Sequence, residues 1–184
     1  MAKRGYGPAA PFGGAGLPSA ARGRRRIRVV PACGGYDGVP MLRLPRDLYL
    51  KMVAHCIMGL PDEACGVLAG DPRTGTVERC YPTRNAAASA RVYTVDSRDL
   101  LRADRDAEHA GIQLIGVFHS HTHTDAYPSH TDVDQAPDPS WHYVLVSLRE
   151  TQPVDRSYRI VAGEVTEEPV RVVEPLWVVE PAAG

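Results

Sequence analysis

Ile112-Gln113-Leu114-Ile115-Gly116-Val117-Phe118-His119-Ser120-His121 contains the most hydrophobic run of the chain and ends in two histidines. An apolar run of this length, entered at Gly111 and left through a polar segment over 122–140, reads as a central buried strand. Just upstream, Asp96 or Ser97 can cap a helix carrying Leu100, Leu101, Asp104 and Ala107, which Gly111 stops. Further back, Val92-Tyr93-Thr94-Val95 is β-branched and aromatic, which predicts a strand. Cys65-Gly66-Val67-Leu68-Ala69-Gly70 is a second buried strand, turned by Asp71-Pro72-Arg73-Thr74-Gly75 into a return strand over 76–81. Leu48, Met52, Cys56 and Leu60 recur every fourth residue, which predicts an amphipathic helix over about 46–59, entered at Pro45 and stopped by Gly59 and Pro61. Met41-Leu42-Arg43-Leu44 precedes it as a short strand. Downstream, strands are expected over 141–148, 158–161 and 164–173, with Pro169 at the edge of the last. This order predicts an α/β fold: a mixed β-sheet flanked by helices, in a single domain over 41–173.

The remaining chain differs in composition. Residues 1–40 hold nine glycines and five prolines, and seven Lys/Arg against Asp37 alone. Such a segment buries too little apolar surface to offset its ordering entropy and is expected to be a disordered basic tail. Met41 also offers an internal start. Residues 174–184 form a C-terminal tail whose Leu176-Trp177-Val178-Val179 has no assignable packing. Formal net charge is −1, but it divides into +6 for the tail and −7 for the rest, and an acidic folded part argues against nucleic acid as partner. No stretch approaches a membrane span. Cys33, Cys56, Cys65 and Cys80 show no CxxC spacing, so neither a disulfide framework nor a cysteine zinc site is indicated, and a reducing, cytoplasmic setting is expected.

The chemistry gathers at the end of the central strand. In an extended chain His119 and His121 share a face while Ser120 points the other way. Two imidazoles at the mouth of a buried strand can grip one metal ion. Pro128-Ser129 looks like a helix start with Ser129 as cap, which sets Asp132 within a turn of it and within reach of the metal. Three protein ligands leave a fourth position for water, as in catalytic zinc sites. The competing reading is a solvated loop with surface histidines, because His109, His123, His130 and His142 crowd the same stretch. Glu63, at the entrance to the 65–70 strand, is placed to exchange a proton with metal-bound water.

Glu63, His119-Ser120-His121, Ser129 and Asp132 together resemble the JAMM (MPN+) metalloprotease family: an upstream Glu, then His-x-His, ten residues and Asp, with Ser three before it. Thr122-His123-Thr124 stands where the wider family often has proline. PDEACGVLAG, PTRNAAAS, HSHTHTDAYPSHTDV, HYVLVSLRE and SYRIVAGEVTEEPV are similar to the actinobacterial Mec type, peptidases that release cysteine from a ubiquitin-like sulfur-carrier protein. The resemblance implies a cytidine-deaminase-like sandwich with one Zn2+ per chain on His119, His121 and Asp132. It implies Glu63 as general base and then acid, and Ser129 as hydroxyl donor to the oxyanion. The implied partner is a ubiquitin-like sulfur carrier with a C-terminal Gly-Gly. Asn85 matches a family position and reads as structural. His123 is a weaker candidate ligand, His130 faces solvent, and Cys65 reads as a small buried hydrophobe. Arg84 and Arg91 could meet a substrate carboxylate or stay solvated. The alternatives are a general isopeptidase on other ubiquitin-like conjugates and a non-catalytic MPN scaffold; the scaffold is disfavoured because no motif residue is missing. Deleting 1–40 should leave the melting temperature and activity nearly unchanged, and a fall of many degrees in calorimetry would mark that segment as structural.

Overall fold

The computed structural model describes residues 41–174, so the expectations for 1–40 and 175–184 lie outside the described residues. In chain order the elements are β1 (Leu42–Pro45), α1 (Arg46–Met58), β2 (Cys65–Asp71), β3 (Thr76–Thr83), α2 (Ser97–Ala110), β4 (Gln113–His121), α3 (His130–Asp134), β5 (His142–Ser147), β6 (Val154–Val161), β7 (Glu164–Glu168) and β8 (Val170–Val173). One mixed sheet takes all eight strands in the order β7-β6-β5-β4-β2-β3-β1-β8. The hydrophobic run is its middle: β4 pairs antiparallel with β2 and parallel with β5, and is buried from Ile115 to its end.

Two apolar clusters pack on opposite faces. Leu42, Leu44, Leu68, Phe118, Val144 and Val146 meet Met52 and Cys56 of α1. Val67, Val117, Tyr143, Leu145 and Tyr158 meet Ala103 of α2 on the other face. The register shift between Leu68 and Ala69 opposite β4 puts Ile115 and Phe118 on the α1 side and Leu114 and Val117 on the α2 side. From there strict alternation carries His119 and His121 to the α2 face. At α2 the Asp96 carboxylate accepts from the Arg98 and Asp99 amides at 3.0 and 3.1 Å, and Gly111 ends the helix at φ 74°, a left-handed conformation that suits glycine. Its buried line is Ala103 and Ala107 with Leu100 packed beside it, while Leu101, also expected among the apolar positions, faces solvent.

Three other expectations need correction. Residues 92–95 form no strand; only Val95 bridges, to Asn85. The Asn85 side chain captures the Val92 carbonyl and the Ala87 and Thr94 amides, so it takes the groups a ladder would use. Leu60 lies beyond α1 and is exposed. The expected 164–173 strand is two, because Pro169 has no N–H to continue a ladder. β7 pairs with β6, and β8 pairs with β1 at the far end of the sheet. Since only Pro169 separates β7 from β8, the ends of the sheet meet there and the sheet is curled; the Leu42 amide donates to the Pro169 carbonyl at 3.0 Å.

A buried polar cluster sits at this closure. Glu168 accepts from His142 Nδ1 (2.5 Å), Ser157 Oγ (2.7 Å) and Arg159 Nε (2.9 Å). Arg159 Nη2 lies 3.1 Å from His142 Nε2. A guanidinium only donates, so Nε2 is the acceptor and Nδ1 carries the hydrogen. Burial by itself would raise the Glu168 pKa, but the His142, Ser157 and Arg159 contacts outweigh it and hold it below its ordinary value. A depressed carboxyl contributes stability above the unfolded-state pKa, about 4.3, and loses it as pH falls through the folded one. Glu168→Gln should therefore cost about 2–3 kcal/mol at pH 7, with the gap from wild type closing below about pH 4. Urea unfolding at both pH values checks this, and a gap that persists in acid would contradict it.

Candidate active site

β4 stays in register to its last residue: His119 faces Cys65 of β2 and Leu145 of β5, and His121 faces Ser147. Ladders on both sides hold His119, and the β5 ladder carries the alternation on to His121. His119 and His121 are 2% and 4% exposed. Between them Ser120 points to the other face, where its Oγ accepts from the Ala64 amide at 2.8 Å. The polar loop then returns as α3, whose N-cap is Ser129. Ser129 Oγ accepts from the Asp132 amide at 3.2 Å, and the Ser129 amide donates to Asp132 Oδ2 at 2.6 Å. This capping box fixes the Asp132 carboxylate and turns it toward the histidines.

Three ligand atoms converge. The two Nε2 atoms are 3.2 Å apart, and Asp132 Oδ1 and Oδ2 lie 3.4 and 3.5 Å from His119 Nε2 and His121 Nε2. With bonds near 2.05 Å, the edge of a tetrahedral zinc site is ~3.3 Å, so the spacing fits the ion without rearrangement. His121 Nδ1 lies 2.8 Å from the Asp125 carbonyl, which can only accept, so Nδ1 carries the hydrogen and Nε2 presents its lone pair. His119 stacks on Tyr93, ring centroids 4.1 Å apart, and its buried Nδ1 has no hydrogen-bond partner among the described residues. Burial lowers the His119 pKa. Burial would lower that of His121 too, but Asp132 and the Asp125 carbonyl raise it above its usual value. Burial would raise the Asp132 pKa, yet the His119, His121 and Ser129 contacts hold it well below the carboxylate range.

Glu63 lies beside this group, 6% exposed. Its amide donates to the Ser89 carbonyl at 2.9 Å, and its own carbonyl accepts from Asn85 Nδ2 at 2.8 Å. Burial, with the Asp132 charge adding and His121 opposing, pushes its carboxyl up to about 7. That value lets one group both take and return a proton near neutral pH. Ser129 is exposed at the rim.

The structure thus brings together His119, His121 and Asp132 as the one such group among the described residues, with Glu63 and Ser129 around it. His123 and His130 are exposed and outside that group. Cys65 is buried and burial raises its thiol pKa, as suits an inert side chain. Arg84 pairs with Asp96 and Asp99 at 3.0 and 3.2 Å. Tyr93 was not legible as a site residue, because its segment reads as a strand. Its aromatic ring among small loop residues was the available signal.

Two imidazoles and a carboxylate converging at a strand end, on a mixed sheet covered by helices, mark an α/β domain with a candidate metal site. Residues 45–161 match the family described as prokaryotic homologs of the JAB domain. The chain belongs to this metal-dependent family. CysO-cysteine peptidase of Mycobacterium tuberculosis (strain ATCC 25618 / H37Rv) is 50% identical over 137 residues, 74% of this chain and 94% of that one. A desampylase of Haloferax volcanii is 40% identical over 111 residues, 58% of this chain and 80% of its own. A solution structure of a Desulfitobacterium hafniense protein superposes with TM-score 0.68 at 38% identity, covering 74% of this chain and 95% of the other. No helix among the described residues is long and apolar enough to cross a membrane.

Titration with zinc should show one tight site per chain, weakened at least 100-fold by Asp132→Ala or His119→Ala, since even groups that only orient ligands are worth about 10–100-fold. Undiminished uptake by either variant would remove that residue from the site.

Proposed function

We propose that this chain is a zinc-dependent peptidase that hydrolyses the amide bond after the C-terminal Gly-Gly of a ubiquitin-like sulfur-carrier protein, releasing cysteine. The carrying observation is 50% identity to a CysO-cysteine peptidase over 94% of that protein's length, in a chain that keeps Glu63, His119, His121, Ser129 and Asp132. In this reading His119, His121 and Asp132 hold the zinc. When bound, zinc supplies Lewis acidity, making water nucleophilic near neutral pH and polarising a carbonyl.

The chain's own groups do the rest. Glu63, with its carboxyl raised to about 7, takes the proton of the attacking water and returns it to the leaving cysteine nitrogen. The Ser129 hydroxyl, whose oxygen already accepts from the Asp132 amide, has its hydrogen free to donate to the substrate oxygen as charge develops there; such a donor is worth roughly 3 kcal/mol. Glycines before the scissile bond let the substrate backbone approach closely. The catalytic domain spans 41–173, with 1–40 and 174–184 as tails, and works in the cytoplasm; the free cysteines Cys56, Cys65 and Cys80 support that setting. The desampylase similarity favours a second reading, cleavage of other ubiquitin-like conjugates at a lysine side chain.

Incubating the zinc-loaded chain with a CysO–cysteine conjugate should release free cysteine and a carrier ending in Gly-Gly, read by mass. Glu63→Gln should keep fold and zinc while losing about 10²–10⁴-fold in turnover. An intact conjugate, or a fully active Glu63→Gln, would refute the reaction or the base respectively.

A further inference from the structure

A peptidase that removes a single C-terminal residue must handle a group an isopeptidase never meets, the free α-carboxylate of the leaving amino acid. That carboxylate is two bonds from the scissile nitrogen. In the reading above Glu63 protonates this nitrogen, so the carboxylate falls on the Glu63 side of the site.

The wall on that side is the loop between β3 and α2. It is tied to Glu63 through the Ser89 carbonyl and Asn85 Nδ2, at 2.9 and 2.8 Å. It is tied to the residue after His121 by Thr122 Oγ1, which donates to the Ala90 carbonyl at 3.2 Å. It also lays Tyr93 on His119. Arg91 stands between the last two anchors, one residue from the first and two, about 7 Å of chain, from the second.

Two other arginines on loops that adjoin the site's elements, Arg84 and Arg149, are already committed. Arg84 is held by Asp96 and Asp99, and Arg149 by Asp125 and Glu150 at 3.0 and 3.6 Å. Arg91 is exposed, and among the described residues its guanidinium has no ion pair or hydrogen bond. An uncommitted guanidinium on a pinned loop offers the planar fork that matches a carboxylate with two parallel bonds.

We propose that Arg91 binds the α-carboxylate of the C-terminal residue being released and so makes the site selective for a C-terminal amino acid. The inference rests on the peptidase reading and adds its leaving-group subsite. A lysine side-chain isopeptide gains nothing from Arg91, because its scissile nitrogen bears no neighbouring carboxylate.

The test compares kcat/KM on two CysO–cysteine conjugates, one a C-terminal free acid and one the C-terminal amide. Wild type should favour the acid about 10- to 100-fold, the range of a hydrogen-bonded charge pair. Arg91→Gln should bring that ratio near one. Arg91→Lys should restore part of it, since it keeps the charge and loses the fork. Arg98→Gln, on the exposed side of α2, should keep the wild-type ratio. Equal cleavage of acid and amide by wild type, or an unchanged ratio in Arg91→Gln, overturns the proposal and leaves the peptidase reading standing. Failure to cut either conjugate removes the peptidase reading, and the proposal with it.

Discussion

β4 is held by ladders on both edges as far as His119 and by β5 through its final residue, and the site depends on that constraint. A strand end without a partner frays and lets side chains rotate away from strict alternation. Here His119 is fixed by β2 and β5 together, and His121 by Ser147 of β5. The parallel β4–β5 pair leaves the connecting chain to cross the α2 face, where it forms α3 and carries Asp132 back to the histidines. The metal-binding geometry is thus a by-product of sheet order. A strand end supplies two of the candidate ligands, and the crossover from that same strand supplies the third.

Local rules made some parts of the site legible and left others hidden. His-x-His alternation follows from the two-residue period of a strand, and the Ser129–Asp132 capping box follows from helix-start chemistry. Both are interactions between residues within three positions of each other. Glu63 is different: it reaches the site only because β2 pairs with β4, a contact across more than fifty residues. Its assignment needed the family pattern. Tyr93 and the Asn85 network were illegible because side-chain capture of backbone groups competes with the strand that the β-branched residues at 92–95 predict. At Pro169 the missing N–H was readable and its consequence was not. Sequence placed the proline at a strand edge, while curling of the sheet makes it the seam between the two edges.

The loop from Asn85 to Val95 links these failures to function. Lacking a ladder, it is held by side chains: Asn85 from within, Thr122 from the β4 side, and the backbone of Glu63. A loop pinned at several points keeps little conformational freedom, so groups carried on it are preorganised for a ligand. It can place Tyr93 against His119 without the two-residue repeat of a strand, and that irregularity is what hides it from pattern reading.

Among the described residues, buried histidine meets carboxylate at two places, and the two places differ in how their charge is compensated. At the sheet closure Glu168 has donors from His142, Ser157 and Arg159, and Arg159 brings the positive charge. Both Glu168 oxygens and the His142 Nε2 lone pair face a donor there, and a well-satisfied buried polar cluster stabilises. At the β4 end, Asp132 and Glu63 are two carboxyl groups near two imidazoles, and the nearby arginines Arg84 and Arg149 are bound elsewhere. His121 turns its hydrogen away to the Asp125 carbonyl, so its lone pair faces His119 and Asp132. Such an arrangement is costly with protein groups alone, because electron-rich atoms converge in a buried place. A divalent cation held by His119, His121 and Asp132 would remove that cost. The sheet closure and the candidate metal site therefore use the same two side-chain types, separated by whether the protein supplies the compensating positive charge itself.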